Sequence, residues 1–283
     1  MPQPILIQST RQHGSGDNIV LLVPSLGRGA ADFDDLAVRL AAAGYCAIAV
    51  EPAGIAKSSA LIPPATLHDY AADIATNIEL RGRGPVHVIG HALGNRIVRT
   101  LAADRPDLVR SVTLIACGGQ VEGDEEARAA LPRCFDLDLP DAERMPAIAT
   151  AFFAPGNDPS VWRDGWYPAV MRQQGAAVRA TPGDNYRHAG SAPMLIIQGL
   201  QDRLAVPANG RLLKEELGER VTLVELEGAG HALLPEQPEA IAAALIEFLY
   251  GRYVKNKVAA GIADLDAGRK TPHAQVMARF AVR

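Results

Sequence analysis

The chain predicts an α/β architecture, a mostly parallel sheet with helices on both faces, and three observations lead there. Short runs of aliphatic and β-branched residues alternate with stretches whose apolar positions recur at helical spacing. The runs are apolar at nearly every position, as strands covered on both faces must be. From about 120 to 190 the alternation gives way to a segment rich in Asp, Glu, Pro and Gly, with the aromatic clusters "AFFAPGNDP" and "VWRDGWYP".

Taken in order, Ile19–Val23 ("IVLLV") is the first expected strand, followed by a loop and a helix over about Phe33–Ala43 that Gly44 closes. Cys46–Val50 ("CAIAV") is the next strand. Thr66–Leu80 carries Leu67, Tyr70, Ala71, Ile74 and Ile78 on one helical face. Strand Val86–Ile89, a helix over about Leu93–Asp104 and strand Val112–Ala116 come next. Beyond the atypical segment lie strands Met194–Gln198 and Val221–Leu226 and a closing helix over about Glu236–Leu249. The expected organisation is a core made of 1–119 and 191–250, a helical insertion 120–190 over the sheet's carboxyl edge, and a strandless helical tail 251–283. Trp162 and Trp166 are either the insertion's own small core or substrate contacts.

With 283 residues, 48% hydrophobic and 21% charged, the chain is of the globular class and long enough to bury a core. A net charge of −4 argues against a general nucleic-acid or anionic-membrane binder. Cys46, Cys117 and Cys134 have neither zinc nor C-x-x-C spacing, which fits a reducing cytoplasm. No secretory leader pattern and no run approaching ~18 apolar residues is present. The expected location is cytoplasmic. Neither G-x-G-x-x-G, a P-loop nor a metal-ligand spacing occurs, so no cofactor is expected.

Chemistry concentrates where strands end. "VHVIGHALGNRIVR" runs from a strand into a helix through Gly90-His91-Ala92-Leu93-Gly94, the layout of a turn that lifts its middle residue into an active site. That middle residue is Ala92, which has no atom able to attack. After "MLIIQ" comes Gly199-Leu200-Gln201-Asp202, after "VTLVEL" comes Glu227-Gly228-Ala229-Gly230-His231, and after "IVLLV" comes Pro24-Ser25-Leu26-Gly27. In a doubly wound sheet these loops meet at one rim.

On "GHALG", "QGLQDRLAVP", "EGAGHALLPEQPEAI" and "VPSLGRGAADFDDL", in that order of roles, the chain from about 5 to 250 resembles the α/β-hydrolase superfamily. The resemblance implies a sheet of the eight-stranded type with a helical cap. It makes Asp202 the carboxylate that orients His231, His231 the general base, and the backbone N–H groups of Leu26 and Leu93 the oxyanion hole. Ala92 stands in the nucleophile's place. Ser25, His91, Phe152, Phe153, Trp162, Trp166 and Tyr167 would line the pocket, with His91 in a packing role. The departures are Ala92 for the usual Ser, Asp or Cys, Pro24-Ser25 where the family has His-Gly, and Ala53 and Ala56 in "EPAGIAKS". Three readings remain: a hydrolase of small apolar esters or lactones that works without a serine, a non-catalytic binder of a ligand or protein, or a serine hydrolase whose nucleophile was removed by substitution. Ser25 and Cys117 are candidate replacement nucleophiles. The tail stretch "AAGIADLDAGRKTPHAQVMARF" is similar to the C-terminal segment of ribbon-helix-helix-type antitoxins, a resemblance that implies wrapping a partner protein; the alternative reading is a helical tail that docks on the chain's own domain or on a second subunit.

Overall fold

The computed structural model of the chain describes residues 9–63, 65–82, 84–269 and 275. Seven strands form one sheet: β1 Thr10–His13, β2 Ile19–Val23, β3 Cys46–Val50, β4 Val86–His91, β5 Val109–Ile115, β6 Met194–Gly199 and β7 Val221–Leu226. Their spatial order is β1-β3-β2-β4-β5-β6-β7. Only β1 is antiparallel, with Thr10 opposite Val50; all other neighbours run parallel. The fold class is the expected one. Among the described residues the sheet has seven strands where the resemblance implied eight, and residues 1–8 lie outside the description.

Every residue of β2, β3, β4 and β6 is buried, which is why these strands read as unbroken apolar runs. β1 escapes such a reading because its sequence is the polar "TRQH". It joins the sheet edge by backbone pairing, which leaves no side-chain pattern.

The helices are α1 Asp34–Ala42, α2 Leu67–Leu80, α3 Leu93–Asp104, α4 Glu125–Cys134, α5 Asp141–Phe152, α6 Pro168–Ala180, α7 Ala208–Leu217 and α8 Pro238–Asp266. Local signals set their ends. The Thr66 N–H donates to Asp69 Oδ2 at 2.7 Å in a capping box that opens α2. The Asp124 carboxylate accepts from Ala127 N at 3.0 Å at the start of α4. The sequence leaves α7 unassigned because it opens on "ANG", a poor helix signal.

Strand order reverses between β2 and β4, and the crevice beyond their carboxyl ends is where a doubly wound sheet takes ligands. Helices α4, α5 and α6 fill the connection from β5 to β6. They enclose a core of their own, in which Trp166 meets Phe135 edge-on with ring centroids 4.9 Å apart and Trp162 meets Trp166 at 5.9 Å.

One side chain from the loop after β2 is built into that core. Arg28 lies with its guanidinium carbon 4.4 Å from the Trp162 ring centre and 4.7 Å from that of Trp166. It pairs bidentately with Asp32 at 2.6 and 2.8 Å and donates to the Asp164 carbonyl at 2.8 Å. The insertion is thereby tied to the loop that the carboxyl end of β2 presents.

By its internal contacts the chain divides into two compact units, Met1–Ala244 and Leu245–Arg283. α8 runs without a break to Asp266, past the stop expected near Leu249, since nothing stronger than Gly251 and Gly261 interrupts it. Within the second unit Tyr250, Val254, Val258, Ile262 and Leu265 are exposed apolar residues spaced by four, four, four and three, with exposed Tyr253 beside them. The rest of the tail, residues 270–274 and 276–283, lies outside the described residues, and part of the antitoxin-like stretch with it. No helix among the described residues is long and apolar enough to cross a membrane.

Because the Arg28–Asp32 pair is almost fully buried, with side chains 4% and 9% exposed, removing one partner strands the other charge. Asp32→Ala is expected to cost about 3–5 kcal/mol in urea unfolding, and the double replacement Arg28→Leu, Asp32→Leu markedly less.

Candidate active site

The turn after β4 is held by close packing. A Cβ on Gly90 would lie 2.3 Å from the Gly94 carbonyl carbon, and one on Gly94 would lie 2.1 Å from the Val23 carbonyl oxygen. Only glycine lets the strand, the helix and the β2 end approach so closely. Between them Ala92 takes φ 49° and ψ −103°, a conformation that costs a non-glycine residue about 1–3 kcal/mol. Hydrogen bonds hold it there: Ala92 N–H donates to Ile115 O at 3.0 Å, and buried Asn95 donates through Nδ2 to Ile115 O and Ala116 O at 2.9 and 2.8 Å. As a result His91 and Leu93 are buried while Ala92 faces the cavity.

The loops after β6 and β7 bring Asp202 and His231 together. His231 Nδ1 donates to Asp202 Oδ2 at 2.9 Å and reaches Oδ1 at 3.1 Å. Since a carboxylate only accepts, the neutral imidazole carries its proton on Nδ1 and its lone pair on Nε2. Oδ1 of Asp202 also accepts from the Leu204 and Ala205 N–H groups at 2.9 and 2.8 Å. The His231 loop is fixed from the other side by Glu236, which accepts from Gly230 N at 2.8 Å, Ala154 N at 2.7 Å and Asn157 Nδ2 at 2.7 Å. Burial raises the Glu236 carboxyl above its ordinary range, against the pull of these three donors.

Ala92, His231, Ser25, Leu26, Leu93 and Phe152 line one cavity of about 380 Å³. Among the described residues neither the Leu26 N–H nor the Leu93 N–H has a hydrogen-bond acceptor. Five of the expected pocket residues are not on this lining. Phe153, Trp162 and Trp166 are turned into the aromatic core of the insertion, where their stacking surface is satisfied. Tyr167 is 38% exposed and stands against the loop after β2, its N–H donating to Gly27 O at 2.9 Å. His91 is fully buried and donates from Nε2 to the His231 carbonyl at 2.8 Å, so it positions the His231 backbone. Cys117 is also off the lining, and burial pushes its thiol up, away from the thiolate a nucleophile needs.

What the sequence reading missed is Arg96, Arg128 and Arg179, which also line the cavity. They sit on three separate helices, where arginine is an ordinary surface residue. The only signal available was the i, i+4 spacing that sets Arg96 one turn beyond Ala92.

Two measurements follow. Burial, helped by the adjacent His231, lowers the His91 imidazole from 6.5 to about 3. Below about pH 6.5 the unfolded chain binds a proton that the folded one refuses, so this group removes stability as the pH falls toward 3. Urea unfolding across that window is expected to show the acid loss, and His91→Gln to reduce its slope by up to about 1.4 kcal/mol per pH unit. Ala92→Gly, which relieves the positive φ, is expected to raise stability by about 1 kcal/mol at neutral pH.

The comparisons with known proteins agree with this geometry. A model of the alpha/beta hydrolase family matches residues 20–244. The 2-(acetamidomethylene)succinate hydrolase of Mesorhizobium japonicum is 29% identical over 260 residues, covering 85% of this chain and 91% of the relative. The pimeloyl-[acyl-carrier protein] methyl ester esterase of Neisseria meningitidis serogroup B is 29% identical over 251 residues, covering 82% of this chain and 93% of the relative. Among solved structures, the enol-lactonase from Burkholderia xenovorans superposes with a TM-score of 0.71 at 20% identity over 87% of this chain and 97% of its own, a likeness of fold. A turn with glycine on both sides, a buried acid–histidine pair at the same rim and a matched family model over most of the chain lead to one conclusion: the chain belongs to the alpha/beta hydrolase family.

Proposed function

We propose that the chain hydrolyses ester- or lactone-like small molecules by direct attack of water, with His231 as general base and no covalent acyl-enzyme. The observation that carries this reading is the Asp202-held imidazole, which shares one cavity with the Ala92 turn and with two unengaged backbone N–H groups. In the first step His231 Nε2 takes a proton from water, and the water oxygen bonds to the substrate carbonyl carbon. The carbonyl π electrons move onto its oxygen, which accepts hydrogen bonds from the Leu26 and Leu93 N–H groups. Collapse of the tetrahedral species re-forms the carbonyl and expels the alkoxide, which takes the proton back from the His231 imidazolium. Asp202 keeps the Nδ1–H tautomer and offsets the imidazolium charge. The helices between β5 and β6 serve as the cap over this crevice.

The size of the effect fits an easy reaction. A positioned base contributes about 10²–10⁴-fold and an oxyanion hole with binding a further 10³–10⁴-fold over water. This suffices for activated esters and lactones and falls short of what an amide requires.

The relatives' printed activities, a hydrolase and an esterase, support the same reaction class. The second reading, a non-catalytic binder, draws on Ala92 itself, since the turn is kept without its attacking atom. Turnover of p-nitrophenyl acetate and a δ-lactone by the wild type, His231→Ala and Ala92→Ser decides between them. The wild type is expected to exceed His231→Ala by about 10²-fold or more, and Ala92→Ser to exceed both. Equal rates in the wild type and His231→Ala would establish the binder.

A further inference from the structure

The cavity carries a charge opposite to that of the chain as a whole. The protein has a net charge of −4, yet among the described residues the ionisable ones lining the cavity are Arg96, Arg128, Arg179 and His231, with no Asp or Glu. The three arginines converge from α3, α4 and α6 on a space whose other walls are largely Leu, Val, Ala and Phe. Elsewhere in the molecule arginines meet carboxylates at close range: Arg28 meets Asp32, Arg39 meets Asp35 and Arg203 meets Glu126. At the cavity two of the three do not. Arg96 has a neutral partner, the Tyr186 hydroxyl at 3.3 Å, and Arg179 has no carboxylate partner among the described residues. Arg128 pairs with Glu122 at 3.2 Å, but both side chains are about half exposed or more, a pair that water competes with easily.

We infer that the cavity takes ligands bearing an anionic group, a carboxylate or a phosphate, with Arg96 and Arg179 as its principal partners and Arg128 as an additional one. Guanidinium groups that no internal carboxylate neutralises are available for bidentate contact with such an anion. A cleft lined by one sign of charge raises the local concentration of the opposite sign. The small apolar ligand expected from the sequence is thereby revised to an amphipathic one, with the acyl part against Leu131, Phe135 and Val178 and the anion at the arginines.

The inference rests on the hydrolase reading only for where the carbonyl lies, and its test reads binding. Titration calorimetry at about 50 mM salt, where exposed charges are little screened, compares monomethyl adipate, n-butyl phosphate and the neutral dimethyl adipate. At least one anionic probe is expected to bind about tenfold more tightly than dimethyl adipate, and the stronger of the two names the anion's source. Arg96→Gln and Arg179→Glu should abolish that preference. Arg110→Gln, an exposed residue near the start of β5, should leave it unchanged although it also removes one positive charge. Arg179 is exposed, so its variant tests the site without burdening the fold. Equal affinity for all three probes, no measurable binding of any up to about 10 mM, or a preference that survives both arginine variants overturns the inference. Any of these would leave the dependence of turnover on His231 untouched, so the two readings fail separately.

Discussion

Everything at the rim depends on the grip of the Asp202 carboxylate on the His231 imidazole. Asp202 is held by the backbone of its own loop, through the N–H groups of Leu204 and Ala205, before it meets the ring. His231 is held in turn by Asp202 in front and, through its carbonyl, by the buried His91 behind. The acid loop after β6, the histidine loop after β7 and the turn after β4 therefore form one connected object. Held at Nδ1 by Asp202 and at its backbone carbonyl by His91, the residue has its Nε2 oriented by the fold. Glu236 extends the same logic to the helical insertion, since one carboxylate holds both the histidine loop and the segment after α5.

Against this intact machinery stands the methyl group of Ala92. The turn keeps its strained backbone at an order of 1–3 kcal/mol, with glycines on both sides and a buried Asn95 to hold it. On the proposed mechanism the strained turn keeps a role without an attacking atom. It places the Leu93 N–H and the start of α3 at the crevice, which an ordinary strand-to-helix connection would not do. On the proposed mechanism the chain keeps the groups that stabilise charge and move protons, and hands the attack to water.

The buried parallel strands were legible because covering both faces makes every position apolar, and the loops that follow them were legible because Asp202, His231 and the Gly90–Gly94 turn occur in a fixed order. The edge strand β1 was not, because backbone pairing at an edge imposes no pattern on "TRQH". Large rings in a polar segment suit a pocket wall and a small core equally, and here they serve both: Trp162 and Trp166 pack into the insertion's own core, while Phe135 and Phe152 belong to that core and also line the cavity. The cavity arginines escaped for a third reason. Their convergence on one cavity is a property of three helices brought together that no single stretch of sequence carries.

The central claim, that water attacks directly and the protein is never acylated, is open to rapid-quench mass spectrometry of the intact chain during turnover of a p-nitrophenyl ester. The account predicts an unmodified protein mass at every time point, with p-nitrophenol and the carboxylic acid released together and no burst. A burst of p-nitrophenol matched by an acyl adduct, on Ser25 or any other residue, would contradict it.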